Sequence, residues 1–182
     1  MCENVSYFSL ARDTDISPET YAQNKIILAL SGEVIVNDAL LHDGECIITT
    51  ANIPVGFRTS TGCVYAEIIT EGGLNMKLNA GEIFSLAGLV PYQSGRIVNM
   101  DIVNNDAMKF VVMAFDEGTG LTEHAAPGDA LIFALDGEGV IGYEGKEHHI
   151  KAGENFMFAK NGRHYVKAKG KFKMALLLTT GE

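Results

Sequence analysis

An all-β chain of two similar domains is the fold this sequence predicts, and three observations carry that reading. Short apolar runs rich in β-branched residues recur along the whole length, and no stretch keeps a helical period long enough for a helix. Glycine is frequent and proline scarce, 20 against 4 in 182 residues, as many tight turns between short strands require. The third observation is an internal repeat: Ile27-Leu28-Ala29-Leu30-Ser31-Gly32-Glu33 matches Ile132-Phe133-Ala134-Leu135-Asp136-Gly137-Glu138, Asp43-Gly44-Glu45 matches Ala152-Gly153-Glu154, and Asn52 matches Asn161. The offset is 105 residues in the first block and 109 in the later ones, so the second copy carries four extra residues in its hairpin, around Tyr143 to Lys146. Two copies of an all-strand unit make two β-domains, each a sandwich or a barrel.

The elements follow in order. A short strand, SYFSLA, precedes the polar turn RDTDISPE, and IILALSGEVIV reads as two strands about Gly32. Asn37-Asp38 and Asp43-Gly44 mark tight turns on either side of ALLH; CIITTA, a loop from Asn52 to Gly56 and CVYAEIIT complete the first copy. Gly72-Gly73 frees the backbone after a strand and divides the chain into 1–72 and 73–182. One short helical turn is expected near Ser85 to Leu89, then the strands RIVNMDIV and MKFVVMAF joined by Asn104-Asn105-Asp106, then the dense strand-and-turn stretch from Gly118 to Ala168. Ala130 to Leu135, Phe110 to Phe115 and Met174 to Leu178 are nearly continuous apolar runs, whereas a sheet with one wet face should alternate. Their second face is therefore expected to be covered by the other half, by another subunit or by both, and a homodimer is the expected assembly.

Composition narrows the partners. Hydrophobic residues at 47% and charged residues at 20% are those of a globular chain, and a formal charge of −9 argues against nucleic acid, whose recognition needs clustered Lys and Arg. Lys167, Lys169, Lys171 and Lys173 alternate and read as one solvated strand face. No apolar run approaches the roughly 18 residues that would span a bilayer, so no membrane partner is expected. MCENVSYFSL lacks the basic start and apolar core of a signal peptide, and Cys2, Cys46 and Cys63 have no metal-type spacing; the expectation is a reduced, cytoplasmic protein with Cys46 and Cys63 as small core residues.

The stretch from Gly118 resembles the cupin superfamily. That family's first motif is a glycine, five residues, His-x-His, a short gap, Glu, six residues and Gly. Here His124 follows Gly118 after five residues, Ala126 takes the second histidine position, Ala130 the glutamate position, and Gly137 is in register. In the second motif Gly153 leads to Ala159, Asn161 and an in-register His164, with Ala168 at the final asparagine position. The resemblance implies two cupin-type jelly-roll β-barrels in tandem, a bicupin: a degenerate N-terminal domain over 1–72 and a C-terminal domain with partial metal motifs over 73–182. It also implies a divalent metal, Zn, Ni, Mn or Fe, held weakly if at all. Residues 124, 126 and 130 share strand parity, as do 164, 166 and 168, so His124 and His164 are expected to meet inside the barrel. Two imidazoles make a poor metal site, since stable zinc sites use three or four protein ligands. Asp129 could supply a third if Pro127-Gly128 bulged the strand. In the N-terminal copy, Glu19, Tyr21, Lys25 and Val55 fall at the motif positions, with Glu19 and Lys25 able to pair, and that half reads as a scaffold.

Three functions stay open. One is a small-molecule-binding module with its pocket in the C-terminal barrel at His124, His164, Ala126 and Ala130, walled by Phe156, Met157 and Phe158. Another is a cupin enzyme of isomerase, decarboxylase or dioxygenase type with a reduced ligand set or a histidine base. The third is a structural or regulatory partner protein. His148-His149 is expected on opposite faces of a solvated strand start, and His42 beside its turn is read as structural.

Overall fold

The computed structural model describes residues 4–70 and 78–180. Among these, regular structure is all strand apart from one 3-10 turn at Leu86–Gly88, where the sequence places its helical turn. The contacts divide the chain into two compact units between Ser85 and Leu86. The expected boundary at Gly72-Gly73 lies outside the described residues; the difference arises because Ile83–Ser85 pairs with Glu45–Thr49 in the first unit.

The N-terminal unit contains β1 (Val5–Leu10), β2 (Thr14–Thr20), β3 (Asn24–Gly32), β4 (Val34–Val36), β5 (Ala39–Leu41), β6 (Glu45–Thr49), β7 (Pro54–Thr59), β8 (Cys63–Thr70) and β9 (Ile83–Ser85). They form one sheet in the order β1-β8-β3-β6-β9 and another in the order β2-β7-β4-β5. The C-terminal unit contains β10 (Ile97–Asn104), β11 (Met108–Phe115), β12 (Gly120–Ala125), β13 (Asp129–Tyr143), β14 (Lys146–Lys151), β15 (Asn155–Phe158) and β16 (Arg163–Thr179). Its order is β10-β11-β16-β13-β14, with β12 on β16 and β15 on β13. The long strands β13 and β16 do the work of the pairs β3/β4 and β7/β8. They bend at register shifts around Asp136 and Gly137, where β3 and β4 are separated by Glu33. Each unit is thus a jelly-roll barrel with one strand topology.

The repeat is physical down to single hydrogen bonds. Gly44 N–H donates to Ala29 O at 2.9 Å, and Gly153 N–H to Ala134 O at 2.9 Å; Asn52 N–H donates to Tyr21 O at 2.7 Å, and Asn161 N–H to Ala126 O at 2.8 Å. Gly32 and Gly137 hold φ of +74° and +71°, and a Cβ on either would lie 2.2 Å and 1.9 Å from the carbonyl oxygens of Gly62 and Lys171. Both the left-handed backbone and the close approach demand glycine at the bend. The four extra residues lengthen one hairpin: β4 and β5 pair over three rows, whereas β13 and β14 continue through Gly142↔Glu147 and Tyr143↔Lys146.

Each barrel interior is an apolar cluster. In the first, Ile27, Ile47 and Tyr65 meet Val36, Val55 and Phe57; in the second, Ala130, Ile132 and Phe158 meet Ile141, Ile150 and Val166. Residues of the opposite parity are buried too, Ile26, Leu28, Phe133 and Leu177 among them, which explains the two-sided apolar strands. Cys46 and Cys63 are free and buried, as small core residues. No helix of the described residues is long and apolar enough to cross a membrane.

Candidate functional site

The C-terminal barrel gathers its histidines where β12, β16 and β13 lie side by side. His124 pairs with His164 across β12 and β16, and His164 with Tyr143 across β16 and β13. The two imidazoles lie 4.2 Å apart, centre to centre, so the rings meet as expected, but only His164 does so inside the barrel, because His124 stands at its exposed end. His164 is 5% exposed, while His124 faces solvent at the rim.

Each ring folds back onto its own strand. His124 Nδ1 lies 2.8 Å from Thr122 O, and His164 Nδ1 lies 3.1 Å from Gly162 O. A carbonyl oxygen only accepts, so both Nδ1 atoms carry hydrogen, and in the neutral rings both Nε2 atoms carry lone pairs. Burial lowers the pKa of His164, the Gly162 carbonyl opposes that shift, and neighbouring His124 adds to the lowering. The pair is therefore built to present acceptors.

Aromatic rings complete the wall. Phe158 stacks on His164 at 4.1 Å, and Tyr143 lies 5.5 Å from Phe158 and 5.9 Å from Phe156. Tyr143 exists at this level only because of the hairpin's extra rows, and its hydroxyl accepts from Ala159 N–H at 3.3 Å. No motif position singles Tyr143 out in the sequence, although the four-residue insertion around it was the available signal. His148 shares the inward parity of Ile150, is half-buried and lies 4.8 Å from Phe156, so it belongs to this wall rather than to a solvated strand start. His149 is exposed on the other face, as expected.

Two expected members stand elsewhere. Met157 is 53% exposed, because the inward parity of Phe156 and Phe158 turns it outward. Asp129 also points away: pairing from Asp129 to Ala134 runs without a bulge, so Ala130 takes the interior and the Asp129 carboxylate accepts from Lys160 N–H at 2.9 Å. Ala126 and Ala130 are inside, 3% and 1% exposed. Among the described residues no group of three or more His, Cys, Asp or Glu is placed to hold a metal ion. Two imidazoles beside two buried alanines do not fit the metal that the resemblance implies.

The N-terminal barrel differs at the same level. Lys25 pairs with Glu67, Nζ to Oε2 at 2.5 Å, and not with Glu19 as local spacing had suggested. Glu19 instead accepts from the Tyr21 hydroxyl at 3.0 Å. Val55, opposite Glu19, takes the place of His164.

Two units of one jelly-roll topology, each with polar groups set among inward apolar side chains, define a tandem small-barrel protein. A family model for the cupin domain matches residues 111–180. The chain is similar to a cupin 2 conserved barrel domain protein from Leptotrichia buccalis, with 31% identity over 96% of this chain and 82% of that one and a TM-score of 0.83. It belongs to the cupin superfamily. A cupin superfamily protein from Desulfitobacterium hafniense matches at 23% identity over 60% of this chain and all 100% of its own, with a TM-score of 0.57. The salicylate 1,2-dioxygenase of Pseudoaminobacter salicylatoxidans shares the fold at 11% identity, 96% of this chain against 69% of that one, with a TM-score of 0.70. No curated protein matches the chain.

Proposed function

We propose that this cupin is a small-molecule-binding protein whose ligand lies in the mouth of the C-terminal barrel, held by His124 and His164. The observation that carries the reading is the paired imidazoles, 4.2 Å apart with both Nδ1 atoms committed to backbone carbonyls. The Nε2 lone pairs of the neutral rings, with Phe158 stacked on His164 and Tyr143 and Phe156 beyond it, suit a compact molecule with O–H or N–H donors and an apolar or planar body. A structural role alone would not require two imidazoles at the family's ligand positions with the same tautomer.

A metal-dependent reaction has less support, because Ala126 and Ala130 remove two donors and Asp129 is turned away. The test is a thermal-shift screen of hydroxylated and N–H-bearing small molecules on the full chain, repeated on His124→Ala and His164→Ala. At least one compound should raise the Tm of the parent and fail to raise that of either variant. Hits indifferent to both substitutions, or one tightly bound equivalent of Zn, Ni, Mn or Fe lost with His164→Ala, would overturn it.

A further inference from the structure

The N-terminal barrel carries a polar cluster that the histidine site does not use. Lys25, Thr49, Tyr65 and Glu67 share the inward parity of Ile27, Ile47 and Phe57, and each is 9% exposed or less. Lys25 Nζ sits 2.5 Å from Glu67 Oε2 and 3.1 Å from the centre of the Tyr21 ring. Of the three ammonium N–H bonds, one serves Glu67 and one faces Tyr21, which leaves capacity for another acceptor. Tyr65 has a stronger unmet demand: its hydroxyl is buried without a hydrogen-bond partner among the described residues, while its ring is stacked between Phe8 and Phe57 at 5.1 and 4.8 Å. Burial, followed by the charge of Glu67 two residues along the same face, raises the pKa of Tyr65, so it stays an O–H donor. An unpaired hydroxyl in such surroundings is costly and is seldom kept without an occupant.

We infer that the N-terminal barrel is a second ligand site, free of metal, which takes a small neutral carbonyl compound between Tyr65 and Lys25. Tyr65 and Lys25 offer donors, so the ligand must bring an acceptor oxygen, while the second oxygen of Glu67 can accept an N–H of the same ligand. Lys25 and Glu67 already cancel each other's charge, so burying a charged ligand beside them would leave an uncompensated ion. Tyr21, half-buried on the connection between β2 and β3, covers Lys25 and would swing aside for entry.

The test titrates the full chain with acetamide, acetate and methylammonium at neutral pH, followed by amide NMR. Acetamide should shift the Lys25, Tyr65 and Glu67 signals saturably, with the two ions at least tenfold weaker. Tyr65→Phe keeps the ring stack and removes only the hydroxyl; it should abolish the acetamide shifts and raise Tm, because an unsatisfied buried group is gone. Absence of a saturable shift, acetate binding as well as acetamide, or a Tyr65→Phe protein that still binds acetamide or has an unraised Tm would each overturn the inference. None of these results bears on the histidine pair, which lies in the other barrel.

Discussion

The N-terminal barrel closes its interior with an ion pair, and the C-terminal barrel fills the same register with hydrocarbon. Lys25 and Ala130 occupy matching places on β3 and β13; Glu67 opposes Ile27 as Leu176 opposes Ile132, its repeat equivalent. The polar content is exchanged at the rim, where Glu19 and Val55 stand opposite each other in one barrel and His124 and His164 in the other. One backbone, with the same bends at Gly32 and Gly137, therefore tolerates an ion pair at the centre of one barrel and a pair of imidazoles at the rim of the other. A buried ion pair rarely outperforms well-packed hydrocarbon in stability, so its retention in one barrel alone points to use rather than to support.

The largest expected effect comes from breaking the ion pair on one side. Lys25→Met leaves Glu67 buried without its cation and should cost about 3–5 kcal/mol. Lys25→Ala with Glu67→Leu copies the solution of the C-terminal barrel and should recover much of that loss in a urea titration. If the single variant is as stable as the parent, the pair is not buried as described.

Next is the repair of the metal arm. Because pairing runs unbroken from Asp129 and both Ala126 and Ala130 are interior, Ala126→His with Ala130→Glu should place two new donors beside His124 and His164. Overpacking should cost roughly 1–3 kcal/mol. Divalent metal at a hundredfold excess over its Kd would return about 2.7 kcal/mol. The double variant should melt higher with Zn than without it, by a margin the parent lacks; an identical response in both proteins would contradict the inward placement of positions 126 and 130.

How much of this was legible in the sequence differs between along-strand and across-strand features. The repeat, the glycine bends and the hairpin insertion depend on spacing along one segment, and spacing is written in the chain; the meeting of His124 with His164 crosses from β12 to β16 and was legible because both stand at the family's motif positions. The Lys25–Glu67 pair joins residues 42 positions apart through the register of β3 on β8, which no local motif encodes, so Glu19 looked the nearer partner. His148 was hidden for the same reason, since the register of β14 on β13 decides which of two adjacent histidines turns inward. Met157 was the reverse case: its flanking phenylalanines share one parity, which alone sends it outward.

A smaller effect separates the two rims by pH. Burial sets the folded-state pKa of His164 below its ordinary value of 6.5, so between the two values the unfolded chain binds more protons. Stability should therefore decline as pH falls below about 6.5 and through the lowered value, with the contribution fully present above that range. His164→Val, which installs the N-terminal barrel's residue, should remove that share of the decline in Tm between pH 7 and pH 5. A variant with an unchanged pH profile would show that His164 is not held neutral by burial.

The most direct measurement is nitrogen-15 NMR of the imidazole rings at pH 7, with and without a compound found by the thermal-shift screen. In their neutral forms His124 and His164 should both carry hydrogen on Nδ1 and none on Nε2, and the compound should move the two Nε2 resonances together. Hydrogen on Nε2 of either neutral ring, or Nε2 signals indifferent to a compound whose binding requires both histidines, would contradict the proposed site.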